Sequence, residues 1–220
     1  MNIVPVSSLV QRYGVKVVLY GGPGTGKTPL LTTAPSPIIC FTETGFLSIR
    51  KYNGPAVLAT TYKEIREFWM WAIQSHEARQ FYTKCCDSFS QQAEIILEEE
   101  KKSCKDLRQA FGKMSEKMME IANWIYFAPS FHSLLIAKEG MIDLNGVNKA
   151  RPYFPGQDLH IKLPHLFDSV WRVENASTPN GSQKVIRTRE SFNAFARERS
   201  GNLQELEAPD INALIQRSMQ

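Results

Sequence analysis

The stretch VKVVLYGGPGTGKTPLLTT, residues 15–33, constrains this chain more than any other. The run Val15-Lys16-Val17-Val18-Leu19-Tyr20 is β-branched and apolar enough for a buried strand. Gly21-Gly22-Pro23-Gly24-Thr25-Gly26-Lys27-Thr28 then fits G-x-x-x-x-G-K-[ST] in full. Its glycines let the backbone turn tightly, so that several N–H groups face one point. The helix expected next brings its N-terminus, with a partial positive charge, to the same point. Such a cradle suits a chain of phosphates: Lys27 can reach the β- and γ-phosphates, and the Thr28 hydroxyl can ligate Mg2+. Pro29 falls in the first helical turn, where a missing N–H costs nothing. Gly22, Pro23, Gly24, Thr25, Gly26, Lys27, Thr28 and Pro29 are thus the residues expected to hold ATP. The bland alternative is a glycine-rich turn that binds nothing.

The rest of the pattern alternates strands with helices. Val6 to Arg12 suits a short helix in a lead-in segment. Pro35 and Pro37 end the helix after the loop, and Ile38 to Thr42 gives a second buried strand finishing at Glu43-Thr44-Gly45. Ala56 to Ala59 is a weaker strand. Over Tyr62 to Ser75 the residues Tyr62, Ile65, Phe68, Trp69, Ala72 and Ile73 share one helical face, a core stripe. Arg79 to Cys86 suggests a third strand ending at Asp87-Ser88. From Phe89 to Ile125 the composition is helical, with Gly112 as the expected division and Glu98 to Lys102 as a solvated face. Ser133 to Ala137 is a fourth buried strand. Residues 141–160 lack a clear period and are expected to form a long loop. Ser169–Glu174 and Lys184–Arg189 flank Pro179-Asn180-Gly181, a hairpin signal, and Pro209 to Arg217 gives a closing helix.

This order predicts an α/β fold: one P-loop domain over residues 1–220, a mostly parallel central sheet flanked by helices, an antiparallel edge hairpin, and a helical insert at about 89–125. Ligands in such sheets bind at the carboxyl ends of the strands. Three expected strand ends supply polar groups there: Thr28, Glu43 and Asp87.

Composition narrows the alternatives. A net charge of +4 permits a nucleic-acid partner without demanding one. The four cysteines, Cys40, Cys85, Cys86 and Cys104, form no C-x-x-C pair, which argues against a disulfide framework or zinc site. His76, His132, His160 and His165 form no H-E-x-x-H pattern. No secretory signal or apolar run of membrane length is expected, and a reducing cytoplasm fits these features.

Two acids complete the expected chemistry. A P-loop ATPase needs a second group near Mg2+, and Asp87 at the end of FYTKCCDS meets that need, although Lys84 puts a charge inside a strand expected to be buried. Hydrolysis also needs a group that orients and deprotonates water, and Glu43 stands at the neighbouring strand end. The alternatives are an ordinary turn aspartate and a solvated loop carboxylate.

With these motifs in order, the chain resembles the RecA-like core ATPases of phages, in particular the small single-strand-annealing recombinases related to RecA and archaeal RadA proteins. The resemblance runs from about Val15 to the C-terminus. It rests on GGPGTGKT, CFTETG, DSFS, RPYFPGQDL with LFDSVWRVE, TRESFNAFARERSG and the final EAPDINALI. It implies Glu43 as the catalytic glutamate and Asp87 as the second acid. Lys138 stands where the family usually has a polar sensor. Arg197 and Arg199 resemble a basic pair that reaches across to a neighbour's γ-phosphate; an exposed charged turn is the alternative. The implied protein is a Mg2+-dependent ATP hydrolase active in phage homologous recombination, in the host cytoplasm if phage-encoded. It would be a homo-oligomer with ATP at subunit interfaces. Its partners would be single-stranded DNA and a single-strand DNA-binding protein.

A DNA surface is expected at Lys138, Lys149 and Arg151, with Tyr153 and Phe154 available to stack bases; otherwise that segment only packs its loop. Two rivals remain from other classes: a P-loop small-molecule kinase, and a nucleotide-binding regulatory subunit with little turnover. The late clustering of Arg187, Arg189, Arg197 and Arg199 does not suggest a kinase lid.

Overall fold

The computed structural model describes residues 3–144, 146–178 and 181–220. Its centre is strand β1 (Lys16–Gly21), buried at every position. Successive side chains of a strand point to opposite faces, and β1 divides accordingly. Val18 and Tyr20 join one apolar cluster, whereas Val17 and Leu19 join the other.

The remaining strands are β2 (Pro37–Phe41), β3 (Ala56–Leu58), β4 (Thr83–Asp87), β5 (His132–Leu144), β6 (Val147–Tyr153), β7 (Ser169–Thr178), β8 (Gly181–Arg187) and β9 (Leu206–Glu207). The helices are α1 (Val6–Tyr13), α2 (Lys27–Leu31), α3 (Tyr62–Gln74), α4 (Phe89–Ser103), α5 (Leu107–Phe127), α6 (Leu159–Leu166) and α7 (Ile211–Ser218). The sheet runs β3-β2-β4-β5-β1-β7-β8-β9. From β3 to β7 every pairing is parallel; β8 and β9 continue antiparallel, and β6 folds back on β5. Helices α3, α4, α5 and α6 cover the first face, and α2 and α7 cover the second. This is the expected mostly parallel sheet with an antiparallel edge hairpin. One strand, β5, separates β1 from β4, the RecA-like order.

Local chemistry explains several boundaries. The Thr61 side chain accepts from the Glu64 N–H while Glu64 accepts from the Thr61 N–H, a capping box that starts α3. Helices α4 and α5 divide at Cys104–Asp106, not at Gly112. Asp106 accepts from the Arg108 N–H and caps the second helix, while Gly112 lies inside it. The third strand begins at Thr83 rather than Arg79, because Glu77–Gln80 closes into a 3-10 turn. The face around Glu98–Lys102 is only partly solvated: Glu100 is buried and pairs with Lys113 and Lys117 of α5.

The largest difference concerns residues 141–160. Instead of a long loop, β5 extends to Leu144 and β6 returns along it, with Lys138 opposite Tyr153 and Gly140 opposite Arg151. Backbone pairing satisfies the amide groups of a segment whose side chains show no helical or strand period. The Pro179-Asn180 part of the expected turn lies outside the described residues; the strands on either side pair antiparallel as predicted.

Lys84 and Lys16 show how charges enter buried strands. Lys84 Nζ donates to the carbonyls of Ala78 and Phe81. Lys16 Nζ donates to Phe131 O at 2.6 Å and sits 3.7 Å from the Phe131 ring centroid. Both stems run through the core while the ammonium ends reach carbonyls and aromatic faces near the starts of their strands.

Candidate nucleotide site

The loop between β1 and α2 sits at the carboxyl end of the central strand. Gly24 and Gly26 take φ of +74° and +85°, a left-handed conformation that favours glycine. Gly21 serves a different need: a Cβ there would lie 2.5 Å from the Val173 carbonyl oxygen of β7. Inside the loop Lys27 Nζ donates to the carbonyls of Gly21 and Gly22, each at 2.7 Å, and Thr25 Oγ1 donates to Gly22 O at 2.9 Å. Burial lowers the Lys27 pKa, against the opposing charges of Asp87, Glu139 and Glu43.

Strand β4 delivers Asp87 to this loop. Thr28 Oγ1 donates to Asp87 Oδ2 at 2.6 Å, joining residues 59 apart in sequence. Burial is the main force raising the Asp87 pKa; the Thr28 hydrogen bond opposes it, Glu43 adds to it, and Lys27 opposes it. The tips of β2 and β4 are tied together. Thr42 N–H donates to Asp87 O at 2.9 Å, and Ser88 N–H donates to Thr42 Oγ1 at 3.0 Å. Glu43, the next residue, is exposed and lies within electrostatic reach of Asp87 and Lys27. Thr28, Asp87 and Glu43 therefore converge from three separate segments.

The oxygens of Thr28 and Asp87 fit Mg2+, a hard cation held by one or two carboxylates together with substrate phosphates. Among the described residues there is no group of three or more His, Cys, Asp or Glu side chains able to hold a metal by themselves.

Other expected residues lie apart from the loop. Arg197 pairs with Val170 near the start of β7, at the end of the sheet opposite the glycine loop. Its Nη2 donates to the carbonyls of Pro164 and Phe167, each at 2.6 Å, and to His165 O at 3.3 Å. Arg199 is half-exposed, with Nη2 on His165 O at 3.0 Å and Nη1 3.5 Å from Asp168. Neither meets the glycine loop of its own chain.

The residues considered for DNA contact have internal partners. Lys138 Nζ donates to Gln91 at 2.8 Å and Glu94 at 2.6 Å. Lys149 pairs with Glu190, and Arg151 Nη2 donates to His160 O at 2.7 Å. Tyr153 is exposed. Phe154 cannot stack on a base as expected, because it is 2% exposed and packs edge-on against Phe89.

Sequence reasoning missed Glu139. Its carboxylate accepts from Arg172 Nε at 2.8 Å, and Arg172 continues to Glu174, Arg187 and Glu205. Glu139, Arg172, Glu174 and Arg187 line a cavity of ≈ 390 Å³ with Gly22 and Thr25 of the loop. The only sequence signal was a carboxylate at the end of a buried strand, next to the Lys138 already singled out.

The sheet order and the glycine cradle together define a P-loop NTPase of the RecA-like type. The family model described as AAA domain matches residues 13–200, and the chain belongs to that family, an ATP-binding P-loop ATPase class. No curated protein sequence matches. A KaiC-like protein from the hyperthermophilic archaeon Pyrococcus horikoshii OT3 is similar at 12% identity and a TM-score of 0.47, covering 81% of this chain and 80% of that one. A prototypical ATPase from the type III secretion system of pathogenic bacteria is similar at 13% identity and a TM-score of 0.50. That alignment covers 74% of this chain and 51% of the secretion ATPase. Among the described residues no helix is long and apolar enough to cross a membrane.

Proposed function

We propose that this chain hydrolyses ATP in a Mg2+-dependent reaction and couples the cycle to single-stranded DNA in phage homologous recombination, by annealing or strand exchange. The observation that carries the catalytic part is the 2.6 Å Thr28–Asp87 hydrogen bond, with Glu43 in electrostatic reach of it. Thr28 and Asp87 would hold Mg2+, which supplies positive charge to the phosphate oxygens when bound. Lys27 exchanges its two loop carbonyls for the β- and γ-phosphates. Glu43 orients the attacking water and accepts its proton.

The DNA part rests on the resemblance and on one feature of the sheet. Strand β5 passes beside Gly21 at Lys138 and continues unbroken into the β5–β6 hairpin. A change at the phosphates can therefore bias the hairpin, whose exposed Tyr153 and Met141 suit contact with bases. Lys138, Lys149 and Arg151 would have to exchange internal partners for DNA phosphates. In a homo-oligomer with ATP at subunit interfaces, the half-exposed Arg199, with Arg197 behind it, would face a neighbour's triphosphate. A single-strand DNA-binding protein is a further partner of this reading. The shared sheet supports treating residues 1–220 as one domain, with α4 and α5 as its helical insert.

The test is ATP turnover titrated with single-stranded DNA at several salt concentrations. DNA should raise turnover, and the effect should weaken as salt rises. Lys27→Ala should abolish nucleotide binding, whereas Glu43→Gln should bind ATP without turning it over. Normal turnover by Glu43→Gln removes the assigned base; turnover indifferent to DNA removes the recombination role and leaves the ATPase.

A further inference from the structure

The hairpin formed by β7 and β8 overhangs the nucleotide site. Strand β7 pairs with β1 as far as Arg172, opposite Tyr20, and then runs on to Thr178 without β1 beside it. Lys184 of β8 pairs with Asn175, three residues beyond Arg172. At about 3.3 Å per residue this is roughly 10 Å past the last β1 pairing, the level of the glycine loop. The side chain does reach that loop: a Cβ built on Gly26 would lie 2.1 Å from Lys184 Nζ and 2.9 Å from its Cε. Gly26 immediately precedes Lys27.

The charges of the hairpin single out this residue. Arg172 is occupied by Glu139 and Glu174, and Arg187 by Glu174 and Glu205. Among the described residues Lys184 Nζ has neither a hydrogen bond nor an ion pair, although Asp87, Glu139 and Glu43 all act on the neighbouring Lys27. The Lys184 ammonium stands at Gly26, over a loop rich in N–H donors, so an anion held by that loop would be attracted to it. Holding it on a paired strand also fixes its reach more firmly than a free loop would.

We propose that Lys184 is a phosphate-binding residue of the nucleotide site, delivered in cis by the β7–β8 hairpin to the phosphates beside Lys27. The proposal rests on the ATP reading above and adds a cation that the G-x-x-x-x-G-K-[ST] motif does not contain. It also makes the hairpin responsive to the nucleotide, because a bound triphosphate gives Lys184 a partner that it lacks among the described residues.

The test is a titration with a fluorescent N-methylanthraniloyl ATP, using wild type, Lys184→Gln, Lys184→Arg and Lys27→Ala. Loss of one charged hydrogen bond predicts that Lys184→Gln binds about tenfold more weakly, with most affinity restored in Lys184→Arg. Melting curves without nucleotide should overlay wild type, since Nζ makes no hydrogen bond or ion pair among the described residues. Wild-type affinity in Lys184→Gln overturns the proposal, as does an equal loss in Lys184→Arg. A wild type that does not bind, or a Lys27→Ala variant that binds normally, overturns the ATP reading itself. Binding that is lost in Lys27→Ala, weakened about tenfold in Lys184→Gln and largely restored in Lys184→Arg supports both.

Discussion

Lys16 offers a quantitative test of how the glycine-loop strand is anchored. The residue is 1% exposed, and burial lowers its pKa from 10.5 to about 7; Asp168 opposes the shift and Lys84 adds to it. The folded state thus gives up this proton near neutrality, whereas the unfolded chain keeps it until about pH 10.5. Between those values the unfolded state binds more protons, so the contribution of Lys16 to stability rises with pH. Below about pH 7 both states are protonated and the full cost of burying the charge is felt. Integrating from about pH 7 to about pH 9 gives roughly 2 kcal/mol of added stability from this one group. Lys16→Met keeps a long unbranched stem and removes the titration. The assay is urea unfolding of wild type and Lys16→Met at several pH values, with the difference between them taken at each pH. Wild type should gain on the variant by about that amount across the interval. A difference that stays flat or falls with pH would refute the argument, and would mean that the Phe131 carbonyl and ring hold the ammonium charged as well as water does.

Three other outcomes follow from particular contacts. Gly21→Ala should destabilise by about 1–3 kcal/mol in urea unfolding, because the new methyl meets the Val173 carbonyl, a backbone atom that cannot turn aside. Phe154→Ala should cost about 3–5 kcal/mol from the core, with DNA affinity per folded molecule unchanged; lost DNA affinity at full stability would return it to a base-stacking role. Arg199→Ala should lower ATP turnover in mixtures with Lys27→Ala subunits if it serves a neighbour, and unaltered mixed activity would end that idea. Arg197 is unsuitable for the same test, since its removal strips three carbonyls of their donor.

The contiguous motif was legible in the sequence because its chemistry is local. Glycines at fixed spacing dictate a tight turn wherever they occur, and Lys27 and Thr28 follow in the same few residues. The buried strands Ile38–Phe41 and Cys85–Cys86 were legible for a similar reason, as apolar runs bounded by turn residues. Pairing between distant segments was not. Residues 141–160 carry no period of their own, and Val147–Tyr153 becomes β6 only because β5 runs beside it. The division of α4 from α5 was decided by an aspartate cap that outweighed a glycine, and Phe154 became core because α4 brings Phe89 against it.

The sequence by itself determined that this chain builds a glycine-lined phosphate cradle on a parallel sheet, because turn chemistry and apolar runs act over short distances. Only the tertiary structure decided which side chains surround the cradle. Sheet order joins Thr28 to Asp87 across 59 residues, sets Glu139 beside the loop, hangs Lys184 over Gly26, and sends Arg197 and Arg199 to the opposite end. Side chains from separate strands meet through register and crossover, and neither is written in any one stretch of residues.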